Sequence, residues 1–231
     1  MDGTFRVGRD NRGRRGVVDR IAMWTNRVEA GRDLAKRLAP YAGDQTVVLG
    51  IPRGGMVVAA EVARALNAPL GYVIARKIGA PGNPEFGIGA VAADGAMFLN
   101  ERAVALTGAD ANYIEQARSA QTAEIARRAQ LLGDNGAAVG LAGKTALVVD
   151  DGLATGVTTL AAVRYLKKKG ARVVLAAPVA PPETVKMLEA ETDDVVILET
   201  PASFGSVGAF FADFTQVEDE EVKGLLAEFG A

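Results

Sequence analysis

The sequence predicts an α/β fold in which a parallel sheet is covered by helices on both faces. Apolar runs predict strands at 146–149, 173–178 and 195–198, and helical spacing at 157–169 and 183–190 fills the intervals between them. These strands are almost continuously apolar, which is typical of parallel strands buried on both faces. Folds of this kind place their active sites beyond the carboxyl ends of the strands. The polar loops at those ends are therefore the candidates for function.

The N-terminal half shows the same alternation of helices and strands. Apolar spacing predicts a helix within 24–39 that stops at Pro40, followed by a strand at 46–49. A helix at 56–66 and a strand at 70–75 come next. The first strand and the helix after it are joined by a short, glycine-containing turn.

The middle of the chain departs from this rhythm. The glycine- and proline-rich segment 78–89 predicts a long loop. Short strands are predicted at 89–93 and 96–99, because the Asp-Gly pair between them is a hairpin signal. Asn100 can cap a short helix, and residues 111–132 predict a long helix rich in alternating charge. This long helix is either simply solvated or a contact between subunits.

The C-terminal segment, residues 201–231, breaks the alternation with a cluster of aromatic residues before a final helix from about Glu218. Half of the eight phenylalanines of the chain lie there: Phe204, Phe210, Phe211 and Phe214. The cluster is either a small satellite core or part of a hood over a planar ligand.

Composition narrows the possible chemistry. The 231-residue chain contains no cysteine and no histidine, which excludes Ser-His-Asp hydrolysis, cysteine nucleophiles and zinc sites built from these ligands. Catalysis must use carboxylates, Arg and Lys, hydroxyls, backbone amides or a metal held by oxygen ligands. No apolar run approaches the roughly 20 residues that cross a bilayer, so we expect no membrane contact. The lack of cysteine is compatible with the cytoplasm, where we expect the protein.

The first 20 residues contain six arginines and no apolar stretch typical of a secretory signal. They predict a flexible basic arm, and residues 21–231 are expected to form one domain. A net charge of −2 and a pI near 5.4 argue against broad nucleic-acid binding.

The most informative stretch is TALVVDDGLATGVTT, residues 145–159. A buried strand ends in Asp150 and Asp151, and residues 154–158 lie where the next helix begins. Free backbone N–H groups and the positive end of the helix dipole make such a turn an anion site. The carboxylates would suit vicinal hydroxyls or a hydrated metal, so a sugar phosphate satisfies both halves of the motif.

Two further loops carry cations. Arg53, Gly54 and Gly55 follow the strand at 46–49 and combine a positive charge with glycines that allow close backbone approach at a helix start. Arg76 and Lys77 follow the strand at 70–75 and open the long loop. Together they would suit a leaving group with several negative charges.

Residues 150–158, DDGLATGVT, resemble the phosphoribosyl pyrophosphate (PRPP) motif of type I phosphoribosyltransferases. The resemblance implies that Asp150 and Asp151 face the ribose hydroxyls and its Mg²⁺, mainly through substrate or water. It also implies that the loop formed by Ala154, Thr155, Gly156, Val157 and Thr158 wraps the 5′-phosphate. A bulky side chain at Gly156 is expected to block this loop.

The order of the loops is similar to that family over residues 45–200. The resemblance implies that Arg53, Gly54 and Gly55 contact pyrophosphate, and that RKIGAPGNPEFGIGA is a mobile loop whose closure excludes water. It further implies a helical insertion at about 100–133, a hood at about 200–231 and a homodimer. The chain is similar to a group of bacterial and archaeal predicted phosphoribosyltransferases. At Ala154 it departs from hypoxanthine-guanine enzymes, which carry an acid there, and is more similar to adenine and uracil enzymes.

The sequence thus predicts a Mg²⁺-dependent phosphoribosyltransferase that transfers the phosphoribosyl group of PRPP to a nitrogenous base. Asp150, Asp151, Arg76 and Lys77 are the predicted catalytic residues. One alternative is a regulator that binds PRPP without chemistry. A second is a metal-dependent phosphohydrolase in which Asp150 and Asp151 bind the metal.

Overall fold

The computed structural model describes residues 23–133 and 140–230, and the predicted basic arm therefore lies outside the described residues. Eight strands are found in these two ranges. They are β1 (Thr46–Gly50), β2 (Leu70–Tyr72), β3 (Ala75–Ala80), β4 (Asn83–Ala92), β5 (Met97–Leu99), β6 (Thr145–Val149), β7 (Arg172–Val179) and β8 (Asp194–Glu199).

The main sheet has five parallel strands in the order β2-β1-β6-β7-β8. Its strands are apolar along their length because successive residues enter cores on opposite faces. Leu147 and Val149 face one core, whereas Ala146 and Val148 face the other. The predicted α/β class with a doubly covered parallel sheet is confirmed.

Seven α-helices accompany these strands in the described ranges. They are α1 (Arg27–Leu38), α2 (Gly54–Leu66), α3 (Glu101–Thr107), α4 (Ala111–Leu132), α5 (Val157–Lys168), α6 (Pro182–Glu189) and α7 (Asp219–Phe229). The buried faces of α1, α2 and α7 join one core and those of α5 and α6 join the other. Consequently α2 and α5, which follow the two neighbouring strands β1 and β6, start from the same sheet edge and run along opposite faces.

The prediction of a long loop at 78–89 is wrong. The chain instead forms an antiparallel hairpin of β3 and β4, and β5 pairs with the far half of β4. Gly79 and Gly89 lie where the backbone of the neighbouring strand approaches too closely for a Cβ, whereas Gly82 turns the chain with φ +70°. A Cβ on Gly79 would lie 2.6 Å from Pro84 Cα, and one on Gly89 would lie 2.8 Å from Leu99 Cδ2. The predicted turn at Asp94 and Gly95 between β4 and β5 is confirmed, with Gly95 at φ +76°.

The aromatic cluster of the C-terminal segment forms a satellite core. Trp24, Phe210 and Phe211 are buried together, and Phe204 and Phe214 pack on them with ring centroids 5.5 Å from Phe210 and 5.0 Å from Phe211. A 3-10 turn at Val207–Phe210 brings this core against the loop after β6. The satellite-core interpretation is confirmed for the two buried phenylalanines.

The segment between β5 and β6 supplies α3 and α4, in the range where the helical insertion is predicted. Asn100 caps α3 through its side chain, and Asp110 caps α4 in the same way. Throughout 23–133 and 140–230, no helix has the length and apolar character required to cross a membrane.

Candidate active site

Two of the predicted loops meet at the carboxyl edge of the main sheet. β1 and β6 are neighbours with Gly50 opposite Val149, so residues 51–55 and 150–156 leave the sheet side by side. The N–H of Ile51 donates to the carbonyl of Val149 at 2.9 Å and ties the two loops together. The peptide bond between Pro52 and Arg53 is cis.

Gly54 and Gly55 make this approach possible. A Cβ on Gly55 would lie 2.8 Å from the Val149 carbonyl oxygen and 2.9 Å from Asp150 Cα. A Cβ on Gly54 would overlap the Asp151 carboxylate and would lie 2.8 Å from Arg27 Nε. Such distances are well inside ordinary contact, so the two glycines are required for α2 to start beside the acidic pair.

Asp150 and Asp151 form a largely buried carboxylate pair. Burial raises the pKa of Asp150 well above its ordinary value, and the Asp151 carboxylate raises it further. Burial also raises the pKa of Asp151, although the hydrogen bond from Arg27 opposes this effect. Asp150 Oδ1 accepts the N–H of Asp151 at 2.9 Å. Two neighbouring carboxylates in a site with little solvent therefore resist ionisation unless a cation or hydrogen-bond donors compensate their charge.

The 154–158 loop presents an anion site of the predicted kind. Within the described residues, the backbone N–H groups of 154–158 donate to no protein acceptor, and neither do the hydroxyls of Thr155 and Thr158. Gly156 adopts φ +68° at the N-cap of α5, and Ala154 and Thr155 are exposed. The free amides point out of a helix start, where negative charge is stabilised.

Helix α6 supports this loop from behind. Thr184 is buried, and its hydroxyl donates to the Ala154 carbonyl at 2.6 Å. A Cβ on Gly156 would press on α6, 2.9 Å from Thr184 Cγ2 and 3.0 Å from Met187 Cε. A side chain at Gly156 would therefore act on the loop through the packing of α6, and the expectation that it blocks the loop stays a prediction.

The predicted cations divide into two groups. Arg53 borders the site, with a side chain 26% exposed that pairs with Glu218 at 3.3 Å. Arg76 and Lys77 lie inside β3 rather than at the end of a parallel strand. Arg76 donates to Gln121 of α4 at 2.9 Å, and Lys77 pairs with Glu85 across the hairpin. Among the described residues, no hydrogen bond or ion pair joins either to the two loops.

A family model described as the phosphoribosyl transferase domain matches residues 17–209. This chain belongs to the phosphoribosyl transferase domain family. The match includes both strand-end loops, the hairpin of β3 and β4, and the insertion helices.

Individual relatives are similar to this chain over most of its length. A crystal structure of a Thermus thermophilus protein is 43% identical, with a TM-score of 0.75 over 89% of this chain and 98% of that one. Proteins of two Mycobacterium tuberculosis strains, CDC 1551 and H37Rv, are each 42% identical over 207 residues and are provisionally named phosphoribosyl transferases. The match covers 89% of this chain but 47% of those relatives, so the chain spans about half of their length.

Three contacts of the candidate site were not predicted from the sequence. They are Arg27 on Asp151, Thr184 on Ala154 and Glu218 on Arg53. Of these three contacts, only that of Arg27 could have been suspected from the sequence. It occupies the first position of α1, where a cation opposes the helix dipole, so a compensating acid could have been sought.

Replacing Thr184 by Val tests whether α6 supports the 154–158 loop. We expect the unfolding free energy to fall by about 1 kcal/mol, since valine keeps the shape but leaves the Ala154 carbonyl without its donor. Anion affinity of the loop should weaken several-fold, measured by phosphate or PRPP titration. Thr192→Val is the matched control, because Thr192 makes a similar 2.8 Å bond to the Leu188 carbonyl away from the loop. Equal affinities in the two variants would contradict the supporting role.

Proposed function

We propose that this protein is a Mg²⁺-dependent phosphoribosyltransferase, which transfers the 5-phosphoribosyl group of PRPP to a nitrogenous base and releases pyrophosphate. One observation carries the proposal: the starts of α2 and α5 flank a largely buried carboxylate pair at one sheet edge, and the amides of residues 154–158 are unpaired within the described residues. A ligand suited to this arrangement has an anionic group at each end and hydroxyls between them. PRPP has this form.

In this proposal, each loop of the site would bind a different part of PRPP. Residues 154–158 would bind the 5′-phosphate through the free amides and the hydroxyls of Thr155 and Thr158. Asp150 and Asp151 would accept hydrogen bonds from the ribose hydroxyls. Gly54 and Gly55 would bring the backbone amides of the start of α2 to the pyrophosphate, and Arg53 would add a cation after releasing Glu218.

In the proposed reaction a nitrogen of the base forms a bond to C1 of the ribose while the bond from C1 to the pyrophosphate oxygen breaks. The departing oxygen keeps the electron pair, and the nitrogen later loses its proton to a base or to water. Negative charge therefore grows on the pyrophosphate, and donors already in position there lower the barrier. The amides of Gly54 and Gly55 would be such donors, and Arg53 would join them after leaving Glu218.

The carboxylate oxygens of the site are suitable ligands for a Mg²⁺ ion that also binds the substrate. Mg²⁺ prefers octahedral oxygen ligation, keeps several waters and often uses one or two carboxylates plus phosphate oxygens. Asp150 and Asp151 offer two such carboxylates, and no cluster of three or more acidic side chains placed to hold a metal occurs in the described ranges. When bound, Mg²⁺ would supply positive charge next to the pyrophosphate.

Arg76 and Lys77 are proposed to act on the pyrophosphate once the β3–β4 hairpin moves toward the site. The end of this hairpin is exposed, with Phe86 41% accessible, and the bond of Lys77 to Glu85 lies on the surface. Both partners of this bond lie within the hairpin, and exposed ion pairs contribute little, so Lys77 could leave Glu85 for the pyrophosphate at small cost. Lys77→Gln should then raise the KM for PRPP.

The partners complete the proposal. The acceptor is a nitrogenous base, nucleic acid is not expected as a partner, and the cytoplasm is the proposed location. We also propose a homodimer with α4 as the contact, because only Ile125 and Leu132 of this 22-residue helix are fully buried. Sedimentation at micromolar concentrations tests this assembly.

Calorimetric titration of Mg²⁺·PRPP tests the function directly. Wild type should bind saturably, and Thr155→Glu should lose binding, because an exposed position in the loop would then carry a negative charge. Ala142→Glu is the matched control, since Ala142 is exposed just before the opposite end of β6.

The outcomes separate the candidate functions. Binding followed by pyrophosphate release with one of a panel of bases supports the transferase. Binding without release for any base indicates a PRPP-binding regulator. A folded wild type that does not bind contradicts both, and phosphate release from simple esters would then indicate a hydrolase.

A further inference from the structure

Arg27 is the one charged partner that the described structure gives to the acidic pair. Its Nε donates to Asp151 Oδ2 at 2.7 Å, and the two side chains are only 11% and 15% exposed. At the first position of α1 this cation opposes the helix dipole, so the helix alone does not favour it there. Its stabilisation must come from the contacts of the guanidinium.

Those contacts join parts of the chain that are distant in sequence. Nη1 of Arg27 donates to the Thr215 carbonyl at 2.8 Å, and the guanidinium lies 3.7 Å from the ring centroid of Phe214. Phe214 in turn stacks on Phe211 of the satellite core. A single side chain therefore connects α1, the PRPP motif and the hood.

The site also reserves space for the ion pair. A Cβ on Gly54 would lie 2.8 Å from both Arg27 Nε and Asp151 Cγ. Glycine at the start of α2 thus accommodates the pair as well as the backbone. The Arg27–Asp151 ion pair therefore packs directly against the backbone of the proposed pyrophosphate loop.

The two carboxylates are consequently not equivalent. Asp151 is fixed by a planar, charged donor, whereas Asp150 receives, within the described residues, only the N–H of Asp151. A buried carboxylate without a cation can still accept new donors or a metal. A carboxylate already bonded to Arg27 has less capacity for them.

We propose that Arg27 is a positioning residue that fixes Asp151 and couples the hood to the PRPP site, leaving Asp150 as the main ribose-facing carboxylate. This inference rests on the proposed function, because it assigns roles within the same site. It adds a residue outside all three predicted loops. Arg27 does not touch the substrate in this scheme and acts through Asp151.

The test measures Mg²⁺·PRPP affinity by calorimetry in four variants. Arg27→Gln should weaken binding at least tenfold, and Arg27→Lys should recover part of the loss, because lysine keeps the charge but not the second bond and the stacked contact. Asp151→Asn should weaken binding by a similar factor. If Arg27 acts through Asp151, adding Arg27→Gln to Asp151→Asn should cost no more than about a further twofold.

Arg32→Gln is the matched control. Arg32 lies on the same helix, is 69% exposed and pairs with Glu61, so its loss should leave the affinity unchanged. If Arg27→Gln alone does not fold, comparison of Asp151→Asn with the double variant still tests the coupling, since the double variant has no unpaired buried carboxylate at position 151.

Failure of the proposed function and failure of the role of Arg27 would give different results. No binding by folded wild type overturns the proposed function itself. Wild-type binding with unchanged affinity in Arg27→Gln, or fully multiplicative losses in the double variant, overturns the role of Arg27 and leaves the proposed function standing. A tenfold loss in Arg27→Gln without any recovery in Arg27→Lys would contradict a role based on charge.

Discussion

Asp150→Asn is expected to abolish Mg²⁺·PRPP binding and phosphoribosyl transfer while leaving the protein as stable as wild type or more stable. The carboxylate of Asp150 is the member of the pair without a cationic partner among the described residues. Under the proposed function it would therefore be the one available to ribose and metal. Loss of its charge should lower affinity by about a hundredfold or more, since charged hydrogen bonds in dry sites are the strong ones.

The stability of this variant follows from linkage. The pKa of Asp150 is raised in the folded protein by burial and by Asp151, so the folded state resists its ionisation. The contribution of this group to stability is complete below its unfolded pKa near 3.8 and is lost as pH rises through the raised folded value. Asparagine removes that penalty at neutral pH, and the advantage of the variant should disappear in acid.

Thermal unfolding of wild type and Asp150→Asn at pH 4 and pH 7 measures this difference. Asp44→Asn provides the control, because Asp44 is exposed just before the opposite end of β1. Retained PRPP affinity in Asp150→Asn would contradict the assignment of the acidic pair. A variant less stable than wild type at pH 7 would contradict the electrostatic account.

Gly54→Ala should have the second large effect. The added methyl group would overlap the Asp151 carboxylate and lie 2.8 Å from Arg27 Nε, so the ion pair and the start of α2 must separate. Overpacking of this kind costs roughly 1–3 kcal/mol of unfolding free energy. Mg²⁺·PRPP binding should fall below detection, because both the proposed pyrophosphate loop and the acidic pair would be displaced.

Gly224→Ala is the matched control for this change. Gly224 lies inside α7, and a Cβ there meets nothing within 4 Å. Alanine should therefore raise the unfolding free energy by about 0.5–1 kcal/mol. Urea denaturation and calorimetry of both variants measure the contrast. Normal affinity in Gly54→Ala would show that the two loops do not depend on their close approach.

The positions that could be predicted were those that local sequence determines. The apolar run before Asp150 and the small residues after it specify a strand, a turn and a helix start, and this turn is found where expected. Arg53, Gly54 and Gly55 were identifiable in the same way. Local sequence was sufficient to locate these two loops, and they lie side by side because β1 and β6 are neighbours in the sheet.

Other features depend on packing between distant segments. Arg27 and Asp151 are separated by 124 positions, and no local pattern indicates their pairing. The hairpin of β3 and β4 was missed because glycine is ambiguous in sequence. It signals a flexible loop, but Gly79 and Gly89 serve strands whose backbones approach too closely for a Cβ. Only the folded arrangement distinguishes the two uses.

The helices that follow β1 and β6 begin at one edge but run along opposite faces of the sheet, and this has a consequence for ligand valency. A molecule bound at both helix starts must extend across this edge, so that the helix on each face binds one anionic end. Each end would bind weakly as a separate fragment, whereas joining them makes the second contact intramolecular. Discrimination in favour of the intact donor over phosphate or pyrophosphate alone would then follow from the geometry of the sheet.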